Sequence, residues 1–225
     1  MSRTSTPVVI VNFKIYREVV GTRALSLARL CQEVADDSGV CVAVCPPLVE
    51  LARVAAAVEI PVLSQHLDPL PSGSHTGWVT PESAKAAGAS GTLLNHSEHR
   101  MLQLDIAAAV GSCRELGLLT VVCADSAETA ATLASLRPHF IAVEPPELIG
   151  GDISVTSARP EVIEEAVREV RRIDGEIPVL CGAGVKTGED VRRALELGTK
   201  GVLVASGVVK ARDAKKSLEE LVGFI

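Results

Sequence analysis

Aromatic side chains are scarce in this sequence of 225 residues, where Phe, Trp and Tyr make up only 2% while hydrophobic residues reach 47%. The core must therefore be built from Ala, Val, Leu and Ile, a composition typical of helices packed closely on a sheet. A chain of this length can bury a sizeable core. We expect residues 1–225 to form a single domain.

Several other features are missing, and each absence excludes a class of protein. No apolar run approaches the ~18 residues that a membrane span needs, and residues 1–7 lack the apolar segment of a signal peptide. A net charge of −6 with no cluster of Lys and Arg argues against a nucleic-acid partner. The six cysteines form no C-x-x-C pair, and free thiols are typical of a reducing compartment. We therefore expect a cytoplasmic protein that binds neither nucleic acid nor membrane.

Eight short apolar runs alternate with helical patterns along the chain. Fully apolar runs of this length are typical of strands that are buried on both faces. They are Val8–Val11, Val40–Val44, Ile60–Leu63, Thr92–Leu94, Leu118–Val122, Phe140–Val143, Ile177–Leu180 and Val202–Val204. Such alternation predicts an α/β protein, either an open doubly wound sheet or a closed barrel. Eight units without a Gly-rich dinucleotide fingerprint after the first strand favour an eight-stranded parallel (β/α)8 barrel.

The helical segments carry recognisable start signals. Thr80 followed by Pro81 predicts a helix that begins at Pro81. The run Thr187-Gly188-Glu189-Asp190 resembles a capping box at the start of a later helix. The segment 162–173 places its apolar residues on one face and its Glu and Arg residues on the other, which predicts an amphipathic helix.

Polar side chains are concentrated where the predicted strands end. In a parallel barrel all the carboxyl ends of the strands face one rim, so residues distant in sequence converge there. The strand exits carry Asn12 and Lys14, Gln65 and His66, Asn95 and His96, Asp125, Glu144, the Gly182–Gly184 turn, and Ala205-Ser206. This asymmetry predicts an active site at that rim.

Glu144 ends the sixth predicted strand and precedes two prolines, an apolar Leu148-Ile149 pair and the pair Gly150-Gly151. A carboxylate beside an apolar flap is a candidate general base, because exclusion of water raises its pKa toward neutrality. The alternative is a carboxylate that ends a strand and forms a salt bridge at the barrel rim.

Lys14 and His96 are the other two candidates for chemistry. A lysine on the rim suits an anionic substrate, and the alternative, which the residue taken alone favours, is an ordinary solvated lysine. Ser97 could start a helix, and an imidazole at a helix N-terminus is pushed toward its neutral form and can donate a hydrogen bond to a carbonyl. A metal site formed by His96 with His99 is a weaker alternative, because two histidines three residues apart are a weak signal for a metal.

Small-residue turns follow the seventh and eighth predicted strands, at Gly182-Ala183-Gly184 and Ala205-Ser206-Gly207. Exposed backbone N–H groups in such turns can bind a phosphate dianion, and barrel enzymes often hold phosphate at these two positions. The long third loop, which includes residues 73–78, is Gly-rich and carries the only Trp. We expect it to close over the site or to dock on a partner subunit.

Together these segments resemble the triosephosphate isomerases in their short archaeal-type form. The matching pieces are Asn12-Phe13-Lys14, residues 73–77, residues 95–100, residues 143–150, residues 181–184 and residues 204–207. The resemblance implies a TIM barrel and the interconversion of D-glyceraldehyde 3-phosphate and dihydroxyacetone phosphate, with no metal and no organic cofactor. The third loop would mediate self-association as a homodimer or homotetramer.

The same resemblance implies a role for each matching residue. Glu144 would be the base, His96 the neutral electrophile and Lys14 the cation that holds the anionic substrate. The residues implied in substrate binding are Asn12, Phe13, Lys14, Ile149, Gly184, Ala205 and Ser206, with Glu98 and Thr76 as supporting residues.

The sequence departs from most of the family at two places. The segment 145–152 lacks the family's aromatic-Ala entrance and Thr-Gly-Lys exit, and Ala183-Gly184 stands where many members have Gly-Ser. Two other functions remain open from the residues alone. They are another phosphate-binding barrel, such as an isomerase or synthase of a phosphorylated sugar or amine, and a catalytically idle barrel that serves as a binding module.

Overall fold

The computed structural model describes residues 5–145 and 155–225, and it places eight parallel strands in one sheet. Each strand falls on or beside one of the eight apolar runs. The strands are β1 Val8–Asn12, β2 Cys41–Cys45, β3 Leu63–Ser64, β4 Gly91–Leu94, β5 Leu119–Ala124, β6 Phe140–Val143, β7 Val179–Cys181 and β8 Gly201–Val204.

The sheet is a nearly closed barrel with the strand order β2-β1-β8-β7-β6-β5-β4-β3. A single bridge between Val44 and Val62 joins the two ends, and the Val44 N–H donates to the Pro61 carbonyl at 3.0 Å. Strand β3 is shorter than its apolar run because Pro61 has no N–H to contribute to a ladder. The predicted (β/α)8 barrel is confirmed, and all strand exits therefore share one rim.

Helices surround the barrel. They are α1 Thr22–Ser38, α2 Leu51–Ala55, α3 Pro81–Ala86, α4 Gln103–Leu116, α5 Ala127–Ala134, α6 Val155–Ala158, α7 Pro160–Ile173, α8 Gly188–Glu196, α9 Ser206–Val209 and α10 Ala214–Val222, with 3-10 turns at Arg17–Val19 and Leu48–Glu50. The short helices α6 and α9 carry no periodic apolar pattern, and sequence analysis did not predict them.

The predicted helix signals are confirmed. The Thr80 hydroxyl accepts a hydrogen bond from the Ser83 N–H at the start of α3. Thr187 and Asp190 form a reciprocal capping box at the start of α8. Each arrangement satisfies N–H groups that have no partner inside the helix.

Two layers of apolar side chains stabilise the barrel. The outer layer packs the helices against the strands, and α7 buries its apolar face there. The inner layer fills the barrel with aliphatic and small residues and one aromatic, Phe140. Its buried members are Val8, Ile10, Ala43, Cys45, Leu63, Leu93, Val121, Cys123, Phe140, Ala142, Leu180 and Leu203. All six cysteines lie in the described residues as free thiols, and no helix of that part of the chain has the length and apolarity to cross a bilayer.

Candidate active site

The rim at the carboxyl ends of the strands surrounds a pocket with an empty volume of about 500 Å³ that opens to solvent. Its lining brings together residues from β1, β4, β6, β7 and β8. Among them are Asn12, Lys14, His96, Glu144, Gly182, Gly184, Ala205 and Ser206. The barrel thus unites the three residues that the sequence singled out for chemistry.

Lys14 sits in a tight turn immediately after β1. Its backbone is left-handed, with φ 49°, and its N–H donates to Asn12 Oδ1 at 2.9 Å. The ammonium lies 2.8 Å from Glu98 Oε1, and the side chain is only 11% exposed. Lys14 therefore differs from an ordinary solvated lysine, because its side chain is largely buried and its ammonium faces the pocket and the Glu98 carboxylate.

His96 follows β4, and its two ring nitrogens have different surroundings. The Glu98 backbone N–H donates to Nδ1 at 3.2 Å, so the proton of the neutral ring resides on Nε2. Nε2 lies 3.4 Å from Glu144 Oε1 and is directed into the pocket. The ring can therefore donate a hydrogen bond to an oxygen bound there.

Burial lowers the pKa of His96 to about 4, and the Lys14 and Arg100 cations act in the same direction against the opposing effect of Glu98. The expectation that a helix beginning at Ser97 keeps the imidazole neutral is wrong, because residues 97–99 form a turn and the next helix begins at Gln103. The neutral form is correct, but its first cause is desolvation.

Glu144 directly follows β6, is 3% exposed and lines the pocket. Burial raises the pKa of Glu144 to about 7, against the opposing effects of the Cys123 thiol, the Lys14 and Arg100 cations and the Ser97 backbone N–H. Within the described residues, Oε2 makes no hydrogen bond of normal geometry. A carboxylate with a pKa near neutrality and an unsatisfied oxygen has the properties of a general base.

Gly182, the first residue after β7, lies directly behind this carboxylate. A Cβ added at Gly182 would lie 2.6 Å from Glu144 Cγ and 3.3 Å from Oε1. The position therefore accepts only glycine while Glu144 keeps its place.

We expect the Gly182→Ala substitution to lower kcat by roughly ten- to hundredfold, because a shift of about 1 Å in a reacting group has an effect of this order. Steady-state kinetics would measure this change in kcat. Gly111→Ala is the matched control, since a Cβ there meets nothing within 4 Å and lies inside α4. A Gly182→Ala enzyme with the wild-type kcat would show that the carboxylate has room to move.

The two small-residue turns line the same pocket. Gly184 has a left-handed backbone, with φ 70°, and Ser206 begins the short helix α9. The first N–H groups of a helix have no partner inside it. These turns therefore present backbone donors to the pocket, as a phosphate group requires.

The remaining predicted site residues occupy different places. Phe13 is fully buried in the outer hydrophobic layer and does not line the pocket, although its neighbours on both sides do. Thr76 is exposed on the third loop, outside the pocket. Ile149 lies outside the described residues.

His99 is directed toward the third loop. Its ring stacks on that of His66 with the centroids 3.8 Å apart. Within the described residues no group of three His, Cys, Asp or Glu side chains is placed to hold a metal ion.

Sequence analysis missed several residues at this rim. Tyr16 and Lys186 line the pocket, and Arg100 forms an ion pair with Asp125 at 3.2 Å while acting on the pKa of both His96 and Glu144. Gln65 was noted as a strand exit, but no role followed from its position alone. The only sequence signal that could have identified these residues is their position after a predicted strand, and that position does not show where a side chain points.

The sequence model of the triosephosphate isomerase family matches residues 7–222. A curated relative from Methanopyrus kandleri is 52% identical over 218 residues, covering 96% of each chain. A second, from Methanothermus fervidus, is 50% identical over 216 residues, covering 96% of this chain and 97% of the relative. A third, from Methanocaldococcus jannaschii, is 48% identical over 217 residues, covering 96% of this chain and 99% of the relative. All three are named triosephosphate isomerase.

Proposed function

This chain belongs to the triosephosphate isomerase family, and we propose that Lys14, His96 and Glu144 carry out the family's reaction here. That reaction interconverts dihydroxyacetone phosphate and D-glyceraldehyde 3-phosphate, one step of glycolysis and gluconeogenesis. The observation that carries the assignment is the 3.4 Å distance between His96 Nε2 and Glu144 Oε1 in a pocket that Lys14 also lines.

The chemistry follows from the protonation states. The Glu144 carboxylate removes a proton from C1 of dihydroxyacetone phosphate, and the electron pair of that C–H bond forms the C1–C2 double bond of an enediolate. The C2 carbonyl oxygen takes up the resulting negative charge and accepts a hydrogen bond from His96 Nε2–H. Protons are then exchanged between the two oxygens, and Glu144 returns its proton to C2 to give the aldehyde. A carboxyl group with a pKa of about 7 is about half ionised at neutral pH, and its ionised form is basic enough to accept a proton there.

His96 acts as a neutral donor because its imidazole has a pKa of about 4 and stays uncharged at the pH where Glu144 is ionised. Lys14 supplies the positive charge, which its pairing with Glu98 holds beside the pocket. Donors and charges that are fixed before the reaction stabilise the enediolate oxygens without reorganisation. Asn12 fixes the turn that carries Lys14 and faces the same pocket.

The phosphate group binds at the turns that contain Gly184, Ala205 and Ser206. Phosphate is recognised by backbone N–H groups and small residues, and these residues line the same pocket as the three catalytic candidates. The N–H of Ile149 completes this subsite in our proposal, as the family resemblance implies. Phe13 has a supporting role, because its side chain is buried beneath the Lys14 turn.

We also propose that the protein self-associates through its third loop, as a homodimer or homotetramer. Large apolar side chains are exposed on this side of the rim: Ile15 is 83%, Val49 90% and Trp78 58% exposed. Exposed apolar groups that cluster beside a site are typical of subunit interfaces, and Thr76 would approach the partner's pocket. Sedimentation of the wild-type protein measures the assembly size directly.

Two further proposals concern organisation and location. Residues 1–225 form one domain, which is supported by the single barrel sheet that runs from β1 to β8. The protein acts in the cytoplasm, which is supported by six free thiols and by the place of the reaction in central metabolism.

Proton exchange with dihydroxyacetone phosphate tests the proposed function. In D2O we expect the enzyme to form glyceraldehyde 3-phosphate with deuterium at C2 and to return dihydroxyacetone phosphate labelled at C1. An idle barrel would bind the substrate without exchange, and an isomerase of another phosphorylated sugar would leave this substrate unlabelled. Either result would overturn the assignment.

A further inference from the structure

The turn that carries Lys14 adopts a backbone conformation that its sequence does not favour. Lys14 has φ 49°, in the left-handed region that glycine and asparagine enter far more readily than lysine. Such a residue keeps this conformation only when its surroundings hold it there. The structure must therefore contain groups that fix the Lys14 backbone.

Gln65, the residue that follows β3, supplies two of these contacts. Its amide nitrogen donates to the Lys14 carbonyl at 2.9 Å and to the Cys45 carbonyl at 3.0 Å, and it lies 3.4 Å from Asn12 Oδ1. A glutamine amide carries two N–H bonds, so the two short contacts use both of them. One side chain thereby joins the ends of β1, β2 and β3.

The acceptors of these bonds are shared with the turn itself. Asn12 Oδ1 accepts the Lys14 N–H at 2.9 Å, and the Cys45 carbonyl accepts the Phe13 N–H at 3.0 Å. The backbone of Lys14 is therefore held on its N–H side by Asn12 and on its carbonyl side by Gln65. Loss of the Gln65 amide would release the carbonyl side.

We propose that Gln65 is a positioning residue for Lys14, which it holds in the strained conformation that directs the ammonium into the pocket. The inference rests on the proposed role of Lys14 in the isomerase reaction. Gln65 itself does not touch the substrate in this proposal. It acts only by fixing the turn from which the Lys14 side chain extends toward Glu98 and the pocket.

The location of Gln65 gives this contact a particular importance. Strands β2 and β3 are joined by the single bridge between Val44 and Val62, whereas β1 and β2 share five register pairs. Gln65 lies at the rim beyond this bridge, and its amide connects the β3 exit to the ends of β1 and β2. The same residue also begins the third loop, so any displacement of this loop would be transmitted to Lys14.

The Gln65→Met substitution tests the proposal, because Met has nearly the same length but cannot donate a hydrogen bond. We expect kcat/KM to fall about five- to fiftyfold, with a rise in KM for dihydroxyacetone phosphate, because the cation that holds the anionic substrate is displaced. Gln65→Glu has the same shape and also removes the donors toward both carbonyls, and it replaces Gln65→Met if that variant does not fold.

A double-mutant cycle with Lys14→Met shows whether Gln65 acts through Lys14. We expect the double variant Lys14→Met/Gln65→Met to have the same kcat/KM as Lys14→Met alone. Both variants lack the Lys14 ammonium, so the loss of the Gln65 amide has no ammonium left to displace. Equal fold-losses from Gln65→Met in the two backgrounds would overturn the proposal. A Lys14→Met enzyme with full activity would instead overturn the proposed function, so the two failures are distinguishable.

Thr199→Val is the matched control for simple loss of a buried hydrogen bond. Thr199 is 2% exposed, and its hydroxyl donates to the Ala194 carbonyl at 2.8 Å at the end of α8, away from the pocket. We expect this variant to have a lower Tm and an unchanged KM. A change in KM as large as that of Gln65→Met would mean that general destabilisation explains both variants.

Discussion

The Glu144→Gln variant is expected to lose activity by at least about 10²- to 10⁴-fold in kcat, the range that a general base contributes. Gln has the same shape as Glu but cannot accept a proton at neutral pH, so the fold and the phosphate subsite stay intact. Steady-state kinetics with dihydroxyacetone phosphate measure the loss. Deuterium exchange at C1 in D2O should fall in parallel, because both processes begin with the same proton transfer.

The matched control for this variant is Glu50→Gln. Glu50 is also a buried glutamate, 8% exposed, but its carboxylate accepts the Gly21 N–H and does not line the active-site pocket. We expect Glu50→Gln to keep a kcat close to that of the wild type. Near-normal turnover in Glu144→Gln would remove Glu144 from its role as the base.

The raised pKa of Glu144 also makes activity and stability depend on pH in opposite ways. Glu144 has a folded pKa of about 7 against the ordinary value of 4.5, so the folded protein binds this proton more tightly than the unfolded chain does. The stabilisation that this proton gives the folded state is fully present below about pH 4.5, and the free energy of unfolding falls by a few kcal/mol as the pH rises from about 4.5 through 7. The kcat/KM should show the reverse, since the base is protonated below about pH 7.

Glu144→Gln should therefore be more stable than the wild type at pH 8 and equally stable at pH 4. Thermal unfolding at the two pH values tests this expectation. A variant that is less stable than the wild type at pH 8 would mean that the surroundings stabilise the ionised carboxylate. That result would contradict the expectation that burial destabilises the ionised form.

The second large effect is expected for His96→Gln, which should lower kcat by about 10²- to 10³-fold, the effect of removing one well-placed donor to a developing oxyanion. Gln retains an N–H group but cannot place it where Nε2 lies. Binding of glycerol 3-phosphate, which has the phosphate but no carbonyl, should change far less than kcat. Kinetics together with inhibition by this analogue separate the two effects.

His139→Gln is the control for the His96 variant. His139 is an exposed histidine whose Nδ1 also accepts a backbone N–H, that of Thr120 at 3.2 Å, but it does not line the pocket. We expect its kcat to be unchanged. If His96→Gln weakens glycerol 3-phosphate binding and leaves kcat intact, His96 only positions the substrate and does not polarise its carbonyl.

Most of the fold could be predicted from the sequence because its signals are local. Apolar runs of four or five residues, Thr80 before Pro81 and the capping box at Thr187 act within a few residues of chain. The short third strand and the helix at Ser206–Val209 escaped prediction, because they depend on Pro61 facing β2 and on the loop geometry after β8.

The three proposed reacting groups could likewise be selected from the sequence, since each follows a strand of a parallel barrel and must lie on one rim. Their chemical states were decided only by the tertiary structure. Burial by distant segments sets the pKa of His96 and Glu144, and the Glu98 backbone N–H fixes the His96 tautomer through a turn where a helix was expected. The hydrogen bond from the Gln65 amide to the Lys14 carbonyl joins residues 51 positions apart. Apolar periodicity and helix caps depend on residues that are neighbours in the sequence. Desolvation and the direction of a side chain depend on separate strand ends that only the tertiary structure brings together.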